Sequence, residues 1–71
     1  MNALDLKFRI RQNRLSNMWV MEQLSKDGIV VSSSTLSAVL CGARKGPAAD
    51  NMLEKIKEIL DDYEAKMAVQ K

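Results

Sequence analysis

The stretch Ser32-Ser33-Ser34-Thr35-Leu36-Ser37-Ala38-Val39-Leu40-Cys41-Gly42-Ala43-Arg44-Lys45-Gly46-Pro47 decides how the chain folds. It has a polar entrance, an apolar stripe, a glycine stop and a basic loop. Ser32 or Ser33 can cap a helix, because a serine oxygen accepts from an orphan amide one turn in. Leu36, Val39 and Leu40 stand at i, i+3 and i+4, so they share a face. The opposite face carries Ser33, Ser34, Ser37 and Ala38, all small. Gly42 suits the left-handed position just past a helix end. The pattern predicts a helix over 33–41 whose outer face can lie close to another surface.

Upstream, the first helix is expected over about 2–14. Asn2 is a candidate cap and Asp5 sits in the favourable first turn. Leu4, Phe8 and Arg11 mark one stripe of it, while Leu6, Ile10 and Ala3 mark a neighbouring one. Lys7, Arg9, Arg11 and Arg14 make it basic, and they are candidate phosphate contacts as well as solvated charges. A second helix is expected over about 17–26, capped by Ser16 or Asn17. Val20 and Leu24 form its stripe, widened by Met18, Trp19 and Met21, with Trp19 serving to plug a small core. Asp27-Gly28 ends it, and Ile29-Val30-Val31 is β-branched. With no partner strand in the chain, that run is expected as an extended connection that buries Ile29 or Val31.

Downstream, Pro47 suits the first position of a fourth helix, where its missing N–H costs nothing. Met52, Leu53, Ile56, Ile59, Leu60, Tyr63 and Met67 keep a helical period to about residue 67. Twenty residues at 1.5 Å each reach roughly 30 Å, more than so small a globule covers. The far end is therefore expected to overhang and to pair with a second copy through Ile59, Tyr63 and Met67.

The chain has 71 residues, one domain over 1–71, close to the lower limit for a self-sufficient core. Apolar residues make up 46% and charged residues 28%, which excludes a disordered composition. With one Phe, one Trp and one Tyr, the core must be aliphatic. One cysteine allows no internal disulfide and fits a reducing compartment. No histidine is present, which removes His-based metal sites and Ser-His or Cys-His catalysis. No glycine spacing makes a phosphate cradle, and Asp61-Asp62, neighbours on a helix, point apart. Cys41 has no basic neighbour in sequence that would activate it. No catalytic residue, metal, cofactor or small-molecule substrate is expected. Charges interrupt the N-terminus from Asp5 onward and no run spans a membrane, so a cytoplasmic location without membrane contact is expected.

Charge is uneven. Residues 1–46 hold seven Lys and Arg against three carboxylates, a net of +4, and residues 47–71 hold four Lys against six carboxylates, a net of −2. A basic front suggests a polyanionic partner. Two short helices, the second with a small capped entrance, supply what a helix-turn-helix needs to enter the major groove. Hydroxyls can meet bases or phosphates, Ala38 can meet a thymine methyl, and Arg44 and Lys45 can grip the backbone.

Trp19-Val20-Met21-Glu22-Gln23-Leu24, followed by Ser33 to Gly42 with Thr35-Leu36-Ser37 at its start, resembles the helix-turn-helix of phage repressor/Cro-like regulators, the Xre group. The resemblance covers roughly residues 4–60, with its specific part in 19–46. It implies an all-α, compact four-helix bundle of the lambda-repressor-like kind with a long C-terminal helix, binding operator DNA as a dimer. The family's base-reading positions fall on Ser33, Ser34, Ser37 and Ala38, with Thr35 nearer the backbone and Asn17 or Met18 in a phosphate role. One departure stands out: the link Ser25–Val31 is several residues longer than the family's three or four.

The expected function is thus a sequence-specific DNA-binding transcriptional regulator of prokaryotic or phage type, with double-stranded DNA and a second copy as partners. The alternative is a phage-type protein-interaction module, an antirepressor or modulator docking on a regulator, integrase or polymerase. The outer face of 33–41 favours it, because that face lacks the Arg, Gln and Asn that make bidentate base contacts. A helper role in DNA recombination is a third possibility that shares the DNA-binding test.

Overall fold

Three of the four helices end in the same way. In the computed structural model, which describes residues 3–69, the order is α1 (Ala3–Gln12), α2 (Asn17–Lys26), α3 (Ser33–Leu40) and α4 (Pro47–Val69). After α1, α2 and α3 the chain enters the left-handed region, at Arg14 (φ 58°), Gly28 (φ 84°) and Gly42 (φ 77°). Each time two amides turn back onto the last carbonyls. Arg14 N–H donates to Arg11 and Leu15 N–H to Ile10; Gly28 N–H donates to Ser25 and Ile29 N–H to Leu24; Gly42 N–H donates to Val39 and Ala43 N–H to Ala38. This paired 5→2 and 6→1 pattern is the Schellman ending, which satisfies carbonyls that would otherwise be orphaned. The residue that follows is apolar in every case, and Leu15 and Ile29 pack on the core.

The starts are equally local. Ser16 Oγ accepts from Trp19 N–H at the head of α2, and Ser32 Oγ accepts from Thr35 N–H at the head of α3. Gly46 (φ 122°) offers its carbonyl to Asp50 N–H, with Pro47 first in α4. Of the expected caps, Ser16 or Asn17 and Ser32 or Ser33, Ser16 and Ser32 serve, and the expected stops at Gly28 and Gly42 hold. Asn2 lies outside the described residues.

The core is a single aliphatic cluster: Leu6, Ile10, Val20, Leu24, Leu36, Val39, Leu40, Ala49, Leu53, Ile56 and Leu60. α4 packs against each of the other three helices, and α3 also packs against α1 and α2. The molecule is all-α, as expected, with no strand among the described residues. Ile29 and Val31 are half-buried on the core, while Val30 between them is 88% exposed. Among the described residues no helix is long and apolar enough to cross a membrane.

Several expectations need correction. α1 stops at Gln12, not near residue 14, because Arg14 adopts the left-handed conformation. Of its two stripes, Leu6 and Ile10 are buried, whereas Leu4 and Phe8 are 58% and 62% exposed. Met18 lies outside the apolar arc of α2, and Trp19 is half-buried at the edge of the core rather than plugging it. α3 ends at Leu40 and α4 runs on to Val69. The overhang of α4 also begins later than Tyr63. Tyr63 meets the Trp19 ring edge-on, with centroids 5.3 Å apart, and Glu64 bonds to α1. Continuous exposure starts only at Ala65.

Candidate nucleic-acid interface

The entrance of α3 is held by a reciprocal pair. Ser32 Oγ accepts from Thr35 N–H at 3.2 Å and donates its own hydrogen to Thr35 Oγ1 at 2.9 Å. Thr35 is therefore half-buried and part of the cap, while Ser33 and Ser34 stand exposed beside it. Ser37 and Ala38, one turn on, are half-buried. The cause of that partial cover at Ser37 is α2: the Asn17 side-chain amide donates to Ser37 Oγ at 3.4 Å, near the limit of a hydrogen bond. Asn17 itself is exposed. The start of α2 and the outer face of α3 thus adjoin as one polar surface of small groups.

The basic loop is fastened at its root. Ala43 N–H and Arg44 N–H both donate to the Ala38 carbonyl, at 2.9 and 3.2 Å. The Arg44 and Lys45 side chains are exposed. They share an open groove with Thr35, Val39, Ala48 and Met52, between α3 and the start of α4. Of the positions expected to meet a ligand, Asn17 and Ser37 are in contact, Thr35 shares a groove with Arg44 and Lys45, and Ser33 and Ser34 lie at the same helix entrance. The structure brings together no corresponding set at the far end of α4. Ile59 packs on the chain's own core and Tyr63 on Trp19, so of the three positions expected to pair two copies only Met67 is largely exposed, at 47%.

The basic front is narrower than its residue count. Arg9 lies between α1 and α4: its Nη2 is 2.8 Å from both Asp61 Oδ1 and Glu64 Oε1, and its Nε donates to Glu64 Oε2 at 3.2 Å. The Asn13 amide donates to the same Glu64 carboxylate at 2.8 Å. The hydrogen bonds that Arg9 donates to Glu64 and then to Asp61 hold the guanidinium more firmly in its charged form than an isolated arginine. Glu64 is held below its ordinary value chiefly by Arg9, with help from Asn13. Asp61 is lowered first by Lys57, 2.7 Å away, and then by Arg9. Arg9 is thus a structural cation, which removes it from the candidate phosphate contacts. The pairing spans more than fifty residues, so helical spacing within either helix carries no trace of it.

Lys7 is also occupied, donating to Cys41 Sγ at 3.6 Å. That exposed thiol has a basic neighbour after all, reached through the fold rather than along the chain. Arg11, Arg14, Lys26, Arg44 and Lys45 remain exposed. Comparison with protein-family models, with curated proteins and with solved structures finds no match.

Proposed function

We propose that this chain is a small DNA-binding regulator, with α2 and α3 used as a helix-turn-helix and α3 laid in the major groove. The observation that carries it is the adjacency of Asn17 and Ser37, with Ser33 and Ser34 exposed at the capped entrance of α3 and Arg44-Lys45 fastened just behind it. Small hydroxyl side chains let the helix backbone approach base edges closely. The exposed cations behind it suit backbone phosphates, which fix register and supply affinity. Specificity from such a face is modest, since no long bidentate side chain projects from it.

The test is fluorescence anisotropy with mixed-sequence duplex DNA at two salt concentrations. Binding should weaken steeply with salt. Arg44→Ala with Lys45→Ala should weaken every sequence together and lower the salt slope by about two. Ser33→Ala and Ser37→Ala should instead alter the preferred sequence recovered by selection. Absence of duplex binding even at low salt removes the proposal.

A protein-docking role is favoured by one observation: Arg9, central to the basic front, is spent on α4. On that alternative the α3 face meets a regulator, integrase or polymerase. Such a partner would bind without nucleic acid and be lost on substituting Ser33 and Ser37.

A further inference from the structure

The cations of α1 divide between two sides of the helix. Arg9 turns to α4. Lys7 turns to the end of α3, where its ammonium donates to Cys41 Sγ at 3.6 Å. Cys41 stands one turn beyond Ser37, with its N–H on the Ser37 carbonyl, so the two side chains share a face of α3. Asn17, at the start of α2, donates to Ser37 Oγ on that same face. These two contacts fix two points of one edge: Lys7 beside the end of α3 and Asn17 beside Ser37. The chain between those points is the rest of α1 and the turn that follows it. It carries two more cations that are open to solvent. Arg11 lies one turn on from Lys7, about 40° round the helix, and Arg14 lies in the turn, three residues before Asn17. Both are exposed, and neither makes an ion pair with the described residues. Asp5, the one carboxylate of α1, stands about 140° round from the midline of Lys7 and Arg11, off this edge.

We propose, on the reading of α3 as the helix in the groove, that Lys7, Arg11 and Arg14 form a phosphate rim along the edge of the α3 face. The rim is a second grip on duplex DNA besides Arg44-Lys45. A helix in the major groove, about 12 Å wide, has a phosphate backbone on either side of it. Cations bordering its outer face meet that backbone and carry no base information. The contact of Lys7 with sulfur, a weak acceptor, leaves two of the three ammonium hydrogens for phosphate oxygens. Lys26 sets the contrast. It is also exposed, but it stands at the far end of α2 from Asn17, about 14 Å along the helix. Attraction by net charge alone would use Lys26 as much as Arg11, and a rim would not.

Fluorescence anisotropy of a mixed-sequence duplex with the full chain, across a salt series, separates the two. Lys7→Gln, Arg11→Gln and Arg14→Gly should each lower the slope of log affinity against log salt by about one, with the sequence preference unchanged. Lys26→Gln should leave the slope as it is. Glycine suits the left-handed position of Arg14, so Arg14→Gly should weaken binding without loss of stability. Circular dichroism checks that the other variants stay helical. The thiol of Cys41, exposed in the free chain and in contact with Lys7, gives a second readout. A saturating duplex at low salt should slow its alkylation by iodoacetamide severalfold.

Rim variants that bind as the wild type does overturn the inference. So does a loss on Lys26→Gln equal to theirs, or a thiol alkylated as fast in the complex as in the free chain. Each of these leaves the reading of α3 standing, because the wild type still binds. Absence of duplex binding by the wild type at low salt removes that reading, and the rim with it.

Discussion

Arg14 is the residue most at odds with its own backbone. It holds the left-handed position that glycine holds after α2 and α3. A side chain there costs about 1 kcal/mol through the clash of Cβ with the following carbonyl. Arg14→Gly should therefore raise stability by about 0.5–1 kcal/mol in urea unfolding, the gain reduced by the greater freedom of glycine in the unfolded chain. Gly28 and Gly42 were legible as stops because glycine is the usual occupant of that position. Arg14 was not legible, because arginine carries no such signal, and so α1 was expected to run on too far. The caps divide similarly. Ser16 or Asn17 stood at one candidate start and Ser32 or Ser33 at the other, and only backbone geometry chooses between neighbours. Ser32→Ala should cost about 1 kcal/mol in a thermal melt, while Ser33→Ala, exposed and outside the cap, should cost close to nothing.

Between elements, the fastening of α1 to α4 through Arg9 makes stability depend on acid. Glu64 and Asp61 are both held below their ordinary values of 4.5 and 3.8. A carboxylate lowered in the folded state contributes its full stabilisation above its ordinary value and loses it as pH falls through the folded one. Arg9 stays charged across that range. Stability should thus be flat near neutrality and decline below about pH 4.5. Arg9→Gln should lower stability at pH 7 by about 1 kcal/mol and flatten the acid limb, as read by urea unfolding at a series of pH values. A variant that kept the full acid dependence would show that other carboxylates cause it. No periodicity within one helix could reveal this contact, since it joins residues from opposite ends of the chain. The same holds for Trp19 on Tyr63, which turns an expected pairing surface into an internal one.

For the whole molecule, eleven aliphatic side chains form one cluster and leave little in reserve. A domain of this size holds on the order of 5 kcal/mol. Leu36→Ala, at a site 0% exposed, should cost about 2–5 kcal/mol and leave a substantial unfolded fraction by circular dichroism at 37 °C. Val30→Ser, at 88% exposure, should leave the melting temperature almost unchanged. The four-helix architecture was legible because apolar spacing marked every element and end residues agreed with it in α2, α3 and at the start of α4. The choice between the two stripes of α1 was not, since both Leu6-Ile10 and Leu4-Phe8 have helical spacing and only packing against α3 and α4 separates them. Ala49 escaped notice in the core because alanine favours a helix on any face. At the candidate interface, the small polar face of α3 was visible in residue types. The contact of Asn17 with Ser37 required the fold.

The repeated helix ending has a kinetic consequence. Each of the first three reversals is settled by hydrogen bonds within about six residues of chain. A folding chain can reach those corners before any distant segments meet, so little loop-closure entropy is lost at the barrier. What remains is the arrival of α4, whose buried stripe lies against all three earlier helices. Refolding should then occur in microseconds to milliseconds, as in other helical domains rich in local contacts. Substitutions in the α4 stripe should change the folding rate more than those at the corners.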